Sequence, residues 1–311
     1  SLEPLEERTL LNGSPFNEVE PNDTLVTATA LPLSEDPAGS GYWLGRGLGS
    51  VQPTSDVDYW SFEALAGDVV TVAMDAGVAG QYTTLSLRNA ADGELANNSF
   101  GGPDQSSLIS HYVIPSSGTY YVRAYNQWAN NTGSYQLRVD LARGIQLESD
   151  TNYSNDALSG ANTLTLGGGA PGHLVAAVAG TVMSPDGSNT DEDLFSLGTL
   201  SVGNVVDLSL RWPSGSTLPG KLTLLDSSGA AVADEDAEDG HFRGTIPADG
   251  VYYGKVESAY WAWQGHRYLV TDSLNWTEAE ADAQGRGGHL VTINEQGEQD
   301  WVFGTFRGFS S

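Results

Sequence analysis

Apolar and polar residues alternate in short stretches along most of the chain up to residue 258, which predicts β-strands rather than helices. In the clearest stretch, from Gly67 to Met74, Val70 and Val72 would face a core together with Met74. Turn signals such as Pro115-Ser116-Ser117-Gly118 separate successive stretches. Many short strands with turns between them are typical of a β-sandwich or barrel. We therefore predict a mainly β fold.

The order of strands and turns repeats in the second half of the chain. Residues 114–121 (Ile-Pro-Ser-Ser-Gly-Thr-Tyr-Tyr) return as residues 246–253 (Ile-Pro-Ala-Asp-Gly-Val-Tyr-Tyr). This repetition predicts two tandem sandwiches with a jelly-roll-like strand arrangement. The predicted boundaries are a linker at 1–15, a first sandwich at 16–142 and a second at 146–258.

Two carboxylates stand at the start of one predicted strand, Ser55 to Phe62. Side chains two apart on a strand share a face, so Asp56 and Asp58 point the same way as Trp60. The aromatic residues belong in a core, which places the two acids at its rim. A carboxylate without a partner is costly there. A cation, a basic side chain or backbone donors are therefore expected. The pattern returns at Asp191-Glu192-Asp193.

A second group of oxygen-bearing side chains lies between residues 17 and 24. Its members are Glu18, Glu20, Asn22 and Asp23. Calcium takes about 6–8 oxygen ligands, more than one short peptide supplies easily. We therefore expect this leading segment and the Asp56/Asp58 strand to form one calcium site together.

The motifs of the first repeat resemble the bacterial pre-peptidase C-terminal domain. The matching patterns are Glu-x-Glu-Pro-Asn-Asp-Thr, Asp-x-Asp-Tyr and Ile-Pro-x-x-Gly-x-Tyr-Tyr, and the resemblance covers 16–140 and, more loosely, 146–258. It implies a sandwich appended to secreted hydrolases or surface proteins, often with calcium. The implied calcium ligands are Glu18, Glu20, Asn22, Asp23, Asp56 and Asp58 in the first copy, and Asn155, Asp156, Asp191 and Asp193 in the second.

The second copy departs from this pattern in its leading segment. Thr151 and Tyr153 stand at the positions that correspond to Glu18 and Glu20, whereas Glu148 and Asp150 come three residues earlier. The first site is therefore predicted to be the better furnished. The alternative is that these acids cap turns and cover a sheet edge.

From Ala259 onward the pattern changes. A helix is predicted at 275–284 with Ser273 or Asn275 as its cap, then a strand at 289–293 and a second helix after Asn294. The order resembles the opening half of a C-type lectin-like domain, so residues 259–311 are assigned as a truncated α+β segment of that kind. The sugar-binding loop of that family falls after residue 311, and ligand-binding residues remain unassigned.

Residues 265–272 fit two predictions, because they read as the last strand of the second sandwich and as the first strand of the lectin-like segment. One strand cannot serve two folds fully. The lectin-like segment is therefore expected to interrupt the second sandwich, whose last strand would return later. The segment would otherwise be completed by residues outside this sequence, or pack on the second sandwich.

The net charge limits the classes of partner that the protein is expected to bind. Thirteen basic against 40 acidic residues give a net charge of −27, which argues against nucleic acid and anionic membranes and fits metal cations or a salty medium. Zero cysteines remove disulfides, thiolate zinc sites and cysteine nucleophiles. Apolar runs long enough for membrane insertion, a signal peptide and an initiating Met are absent from the sequence, which indicates a mature or excised piece.

Motifs for catalysis are also missing from the sequence: the five histidines are scattered, and it contains no Gly-x-Ser-x-Gly, phosphate loop or His-Glu-x-x-His. We predict a non-catalytic, calcium-stabilised adhesion module of a secreted or surface bacterial protein. It would present the lectin-like segment to a glycan or cell-surface protein and adjoin other domains of its polypeptide. The alternatives are a substrate-targeting C-terminal appendage of a secreted peptidase or polysaccharide hydrolase, and a passive spacer.

Overall fold

The computed structural model describes residues 15–76, 82–126, 132–183, 191–214, 216, 220–235, 240–258, 260–263, 266–269, 275–285, 288–299 and 302. These residues form mainly β-structure in several sheets, so the predicted fold class is confirmed. The chain divides into one compact unit that ends at Glu257 and a second that begins at Ser258. Most of the predicted linker, at residues 1–14, lies outside the described residues.

The first sandwich consists of two sheets. One sheet has the strand order β1-β4-β11-β6-β9, with β3 also pairing with β4, and the other has the order β2-β5-β10-β7-β8. The strands are β1 (Phe16–Asn17), β2 (Thr29–Ala30), β3 (Ser34–Glu35), β4 (Tyr42–Val51), β5 (Asp58–Ala64), β6 (Val69–Ala76), β7 (Thr83–Arg88), β8 (Glu94–Asn98), β9 (Ser107–Val113), β10 (Gly118–Asn126) and β11 (Gly133–Ala142). Single 3-10 turns occupy Leu25–Thr27 and Pro103–Gln105.

The core of the first sandwich lies between the two sheets. Val70, Val72 and Met74 are fully buried, which confirms the inward face predicted for β6. From the facing sheet, Trp60 enters the same core and donates its indole N–H to the Tyr135 hydroxyl at 2.8 Å. This hydrogen bond satisfies both buried polar groups, since an unpaired donor there would be destabilising.

Residues 146–258 form further β-structure with shorter strands, and this region is called the second sandwich below. Its four-stranded sheet has the order β13-β17-β21-β19, and the remaining strands form the pairs β12-β16, β14-β15 and β18-β20. The strands are β12 (Gln146–Leu147), β13 (Asn162–Thr163), β14 (Gly167–Gly168), β15 (Leu174–Val175), β16 (Val178–Ala179), β17 (Glu192–Leu200), β18 (Val205–Ser209), β19 (Gly220–Asp226), β20 (His241–Thr245) and β21 (Gly250–Ser258). Leu224, Phe242 and Ile246 form the centre of its core.

The second unit contains a hairpin and a helix, namely β22 (Tyr260–Trp263), β23 (His266–Leu269) and α1 (Trp276–Gly285). Asn275 caps the helix as predicted, because its side-chain oxygen accepts hydrogen bonds from the backbone N–H groups of Thr277 and Glu278 at 3.1 Å.

The strand predicted at 289–293 is wrong, since residues 288–295 adopt no strand in the structure. The Leu290 N–H donates instead to the Glu280 carboxylate on the helix at 3.0 Å. Part of the predicted second helix forms at residues 296–299, whereas Trp301 lies outside the described residues. The described helices include none that is long and apolar enough to cross a bilayer.

Candidate metal centres

Three carboxylates of the first sandwich converge beside the start of β5. Glu18, Glu20 and Asp58 each offer an oxygen, and these oxygens all lie within 4.8 Å of one another. The parallel pairing of β1 with β4 places Glu18 there, where its Oε1 accepts a hydrogen bond from the Ser50 N–H at 2.8 Å. The two predicted segments therefore do meet at one point of the fold.

Asn22 and Asp56 border this group, whereas Asp23 does not join it. Asn22 is fully buried and its carbonyl accepts the Tyr59 N–H at 2.9 Å. In the orientation that satisfies its neighbours, its amide donates to Asp58 Oδ1 at 3.2 Å. Asp56 accepts the Gln52 N–H at 2.7 Å, which fixes the turn before β5. Asp23 is exposed and lies outside the three clustered carboxylates.

Without a cation, the buried carboxylates of the first cluster repel one another and are unfavourable in their ionised forms. Burial, reinforced by neighbouring carboxylates, raises the pKa of Asp58 to about 8 and that of Glu18 to about 7. Asp58 Oδ2 and Glu18 Oε2 are buried, and neither has a hydrogen-bond partner among the described residues. Buried acceptor atoms on carboxylates this close together are the arrangement that a hard cation satisfies.

A second cluster occupies the equivalent place in the second sandwich. Oxygens of Asp150, Asp156 and Asp191 lie within 4.8 Å of one another. Asp193 lies beside them, buried at the start of β17, and accepts a hydrogen bond from the Asn155 amide at 3.1 Å. Asn155 is placed as Asn22 is, because its carbonyl accepts the Leu194 N–H at 3.1 Å, as that of Asn22 accepts the Tyr59 N–H.

Glu148 takes the position of Glu18, which corrects the correspondence drawn from the sequence. The Glu148 N–H donates to the Ala179 carbonyl at 2.9 Å, as the Glu18 N–H donates to that of Leu48 at the same distance. The Thr181 N–H donates to the Glu148 carboxylate, which repeats the bond from Ser50 to Glu18. Thr151 and Tyr153 are therefore not the counterparts of Glu18 and Glu20.

Three extra residues, 151–153, loop out and contact the first sandwich. The Asn152 N–H donates to the Gly101 carbonyl at 2.9 Å, and Tyr153 packs on a cluster that contains Leu108. Next to the loop, the Asp150 N–H donates to Ser110 Oγ at 3.0 Å. The insertion thus joins the second cluster to the neighbouring sandwich.

The second cluster brings five carboxylates together, although the first site is predicted to be the better furnished. Burial raises the pKa of Asp191 to about 8, and it also raises the pKa of Glu148, which the Asp193 charge reinforces. Glu148 Oε2, Asp150 Oδ2 and Asn155 Oδ1 are buried and lack hydrogen-bond partners among the residues that the structure describes. Its carboxylates are Glu148, Asp150, Asp156, Asp191 and Asp193.

A glycine lies directly against each of the two glutamates, Glu18 and Glu148, and the sequence analysis did not identify either glycine. A Cβ at Gly49 would lie 2.6 Å from Glu18 Oε2, and a Cβ at Gly180 would lie 2.9 Å from the carboxyl carbon of Glu148. Both approaches are too close for a side chain. Each glycine comes directly after the last paired residue of a parallel strand pair, which is Leu48 for Gly49 and Ala179 for Gly180.

Replacing Gly180 with Ala is expected to destabilise the second sandwich by about 1–3 kcal/mol, because the methyl group displaces the Glu148 carboxylate. The measurement is chemical denaturation followed by circular dichroism. Gly168→Ala is the matched control, since its Cβ meets no atom within 4 Å and should change stability by no more than about 0.5 kcal/mol. Equal losses in both variants would contradict the close approach at Gly180.

The first sandwich is therefore a β-sandwich with a carboxylate cluster at the start of β5, which lies inside its sheet. Residues 56–126 match the family model of the bacterial pre-peptidase C-terminal domain, and they include Asp58 and strands β5 to β10. The match covers 71 of the 311 residues and lies within the first sandwich. The tandem copy and the lectin-like segment stay predictions.

Among solved structures, the chain is similar to the pre-peptidase C-terminal domain of a collagenase from Bacillus anthracis, with 18% identity over 39% of this chain and 99% of that chain and a TM-score of 0.29. It is also similar to PliG, a periplasmic inhibitor of g-type lysozyme from Aeromonas hydrophila, with 16% identity over 37% of this chain and 96% of that chain and a TM-score of 0.27. A search of curated proteins gives no match.

Proposed function

We propose that this chain is a non-catalytic appendage of a larger secreted bacterial hydrolase, in which two calcium ions stiffen two consecutive sandwiches. The family match at residues 56–126 supports the appendage over the adhesion module, because that family is named for its position at the C-terminal side of peptidases. The observation that carries the calcium role is the cluster of buried carboxylate oxygens, which the fold builds in both sandwiches.

Calcium fits these clusters by charge and by ligand type. Each cluster offers only oxygen donors, and calcium accepts carboxylates and amide carbonyls in flexible geometry at 2.3–2.6 Å. A divalent ion would offset the repulsion among acids that burial intensifies, and its binding would favour their ionised forms. The proposed ligands are drawn from Glu18, Glu20, Asn22, Asp56 and Asp58 in the first site, and from Glu148, Asp150, Asn155, Asp156, Asp191 and Asp193 in the second.

The two calcium sites would stabilise different segments of the chain. The first would tie the leading segment, residues 18–22, to the start of β5. The second would tie the connection between the sandwiches, residues 148–155, to β17. Since Asn152 and Tyr153 in this connection contact the first sandwich, calcium in the second site would also restrict motion between the two sandwiches.

Calcium is expected to slow hydrogen exchange of the amides of Asp150, Asn152 and Asn155 by at least about tenfold relative to chelator, because ligand binding lowers the population of locally open states. Mass spectrometry of peptides covering 148–156 measures this effect. Amides in the centre of β10, such as that of Val122, serve as the control and should not change. An equal response in both regions would indicate global stabilisation. No response at 148–156 would contradict calcium binding that ties the connection between the sandwiches to β17.

A further inference from the structure

An edge strand of the first sandwich is irregular at Ser110 and His111. β9 is the outermost strand of its sheet, and its pairing with β6 shifts so that these two residues lie opposite one residue, Thr71. Two residues opposite one form a β-bulge. His111 adopts a left-handed backbone conformation there, with φ of +56°. This conformation is unfavourable for residues other than glycine, so the surrounding structure has to hold it in place.

The side chains of the bulge contact the leading segment of the second cluster. Ser110 Oγ accepts a hydrogen bond from the Asp150 N–H at 3.0 Å, and His111 Nδ1 lies 3.2 Å from the Glu148 carbonyl oxygen. Since a carbonyl oxygen can only accept, Nδ1 donates in this contact. Two of the proposed calcium ligands, Glu148 and Asp150, therefore have backbone groups that are held by side chains of the neighbouring sandwich.

The leading segment of the first cluster is held by its own sandwich instead. The Glu18 N–H donates to the Leu48 carbonyl at 2.9 Å, and the Val19 N–H donates to Thr29 Oγ1 at 3.0 Å. All four residues belong to the first sandwich. In the part of the chain that the structure describes, support from a neighbouring sandwich is thus a feature of the second cluster and not of the first.

We propose, on the basis of the calcium function proposed above, that the Ser110–His111 bulge positions the second calcium site, so that docking of the first sandwich sets the calcium affinity of the second. Glu148 and Asp150 must both be in place before one ion can bind them. The apparent dissociation constant therefore rises as the fraction of molecules with this arrangement falls. Without the ion, the charges of Asp150 and Asp193 oppose the burial of an ionised Glu148, and the two hydrogen bonds from the bulge counteract this repulsion.

The coupling between calcium and docking is reciprocal. Calcium that binds the docked arrangement more tightly favours docking by the same factor. The unfavourable conformation of His111 then has a function, because it aligns the bulge with the backbone of two ligand residues. Ser110 and His111 are positioning residues, since neither belongs to the clustered carboxylates themselves.

The test is isothermal titration of calcium into the 311-residue chain that carries Ser110→Ala and His111→Gly together. Alanine removes the acceptor for the Asp150 N–H, and glycine removes the imidazole while it relieves the left-handed strain. The dissociation constant of the second site, identified as the one that Glu148→Gln weakens, is expected to rise about tenfold, as for the loss of two hydrogen bonds of ordinary net strength. The constant of the first site should stay within about twofold.

Hydrogen exchange in chelator gives a readout of positioning that needs no calcium. The amides of Asn152 and Asn155 should exchange about tenfold faster in the double variant than in the wild type, because the segment leaves its place more often. Val113→Ala is the matched control, since Val113 lies on the same strand and is 54% exposed. Ser110→Thr retains the hydroxyl group and should bind both ions as the wild type does.

The possible outcomes separate the role of the bulge from the calcium function. A wild type that binds no calcium would overturn both. A wild type that binds two ions, together with unchanged constants in the double variant, would overturn the role of the bulge alone. Equal weakening of both constants would also overturn it, because the bulge would then serve only the general stability of the first sandwich. Unchanged exchange at Asn152 and Asn155 would contradict the positioning directly.

Discussion

Asp58→Asn will remove the calcium-induced rise in melting temperature of the first sandwich, and it will raise the melting temperature in chelator. Asp58 is fully buried beside Glu18 and Glu20, so its charge is unfavourable without a cation and necessary with one. Asparagine keeps the size of the side chain and an oxygen for the hydrogen bond from the Asn22 amide. The two effects therefore have opposite signs in one variant.

The expected size follows from linkage. Calcium at 100 times its dissociation constant stabilises a site by about 2.7 kcal/mol, which corresponds to a shift of about 8 °C for a domain of this size. Scanning calorimetry of the wild type and the variant, each with calcium and with chelator, measures it. Asp23→Asn is the matched control, because Asp23 is exposed and lies outside the cluster. Equal calcium shifts in wild type and Asp58→Asn would remove Asp58 from the site.

Glu148→Gln will reduce calcium binding from two sites to one, or weaken one of the two dissociation constants by at least about tenfold. Glu148 is buried beside Asp193, and its Oε2 has no hydrogen-bond partner among the described residues. Glutamine retains an oxygen for the hydrogen bond from the Thr181 N–H, so the local backbone should be preserved while one negative charge is lost. Isothermal titration calorimetry reports both the stoichiometry and the affinity.

Thr151→Ala is the control variant for this measurement, because the sequence repeat alone matches Thr151, rather than Glu148, with Glu18. Its titration should match that of the wild type, with two calcium ions bound. If Thr151→Ala removed a site while Glu148→Gln did not, the correspondence between Glu148 and Glu18 would be wrong, and the leading segment of the second copy would have to pair differently with β16.

The first cluster was largely predictable because its residues belong to short local patterns. The alternation around Val70 and Val72 identifies the inward face of β6, and the same two-residue period places Asp58 beside Trp60. Two acids ahead of buried aromatics then require a partner, whatever the details of the fold. The motif at residues 18–23 contains the other two carboxylates of the cluster. It also contains Asp23, which is exposed and does not belong to the cluster.

The leading segment of the second cluster was misaligned because sequence spacing assumes that loops keep their length. Residues 151–153 lengthen the connection, and Glu148 reaches its place through the pairing of β12 with β16 rather than through its distance from Asn155. The contact of Asn152 with Gly101 explains the extra residues, and it joins parts of the chain that are remote in sequence. Such contacts leave no local periodicity by which they could be recognised.

By itself the sequence determined the mainly β fold, the inward faces of the strands and the acids that need a partner, since side-chain period and burial cost are local properties. The tertiary structure decided that Glu148 and Asp150 complete the second cluster. It also decided that β12 pairs with β16 and so brings Glu148 to its place. Both depend on which strand edges meet across the fold, and that pairing is set by long-range hydrogen bonds and packing rather than by neighbouring residues.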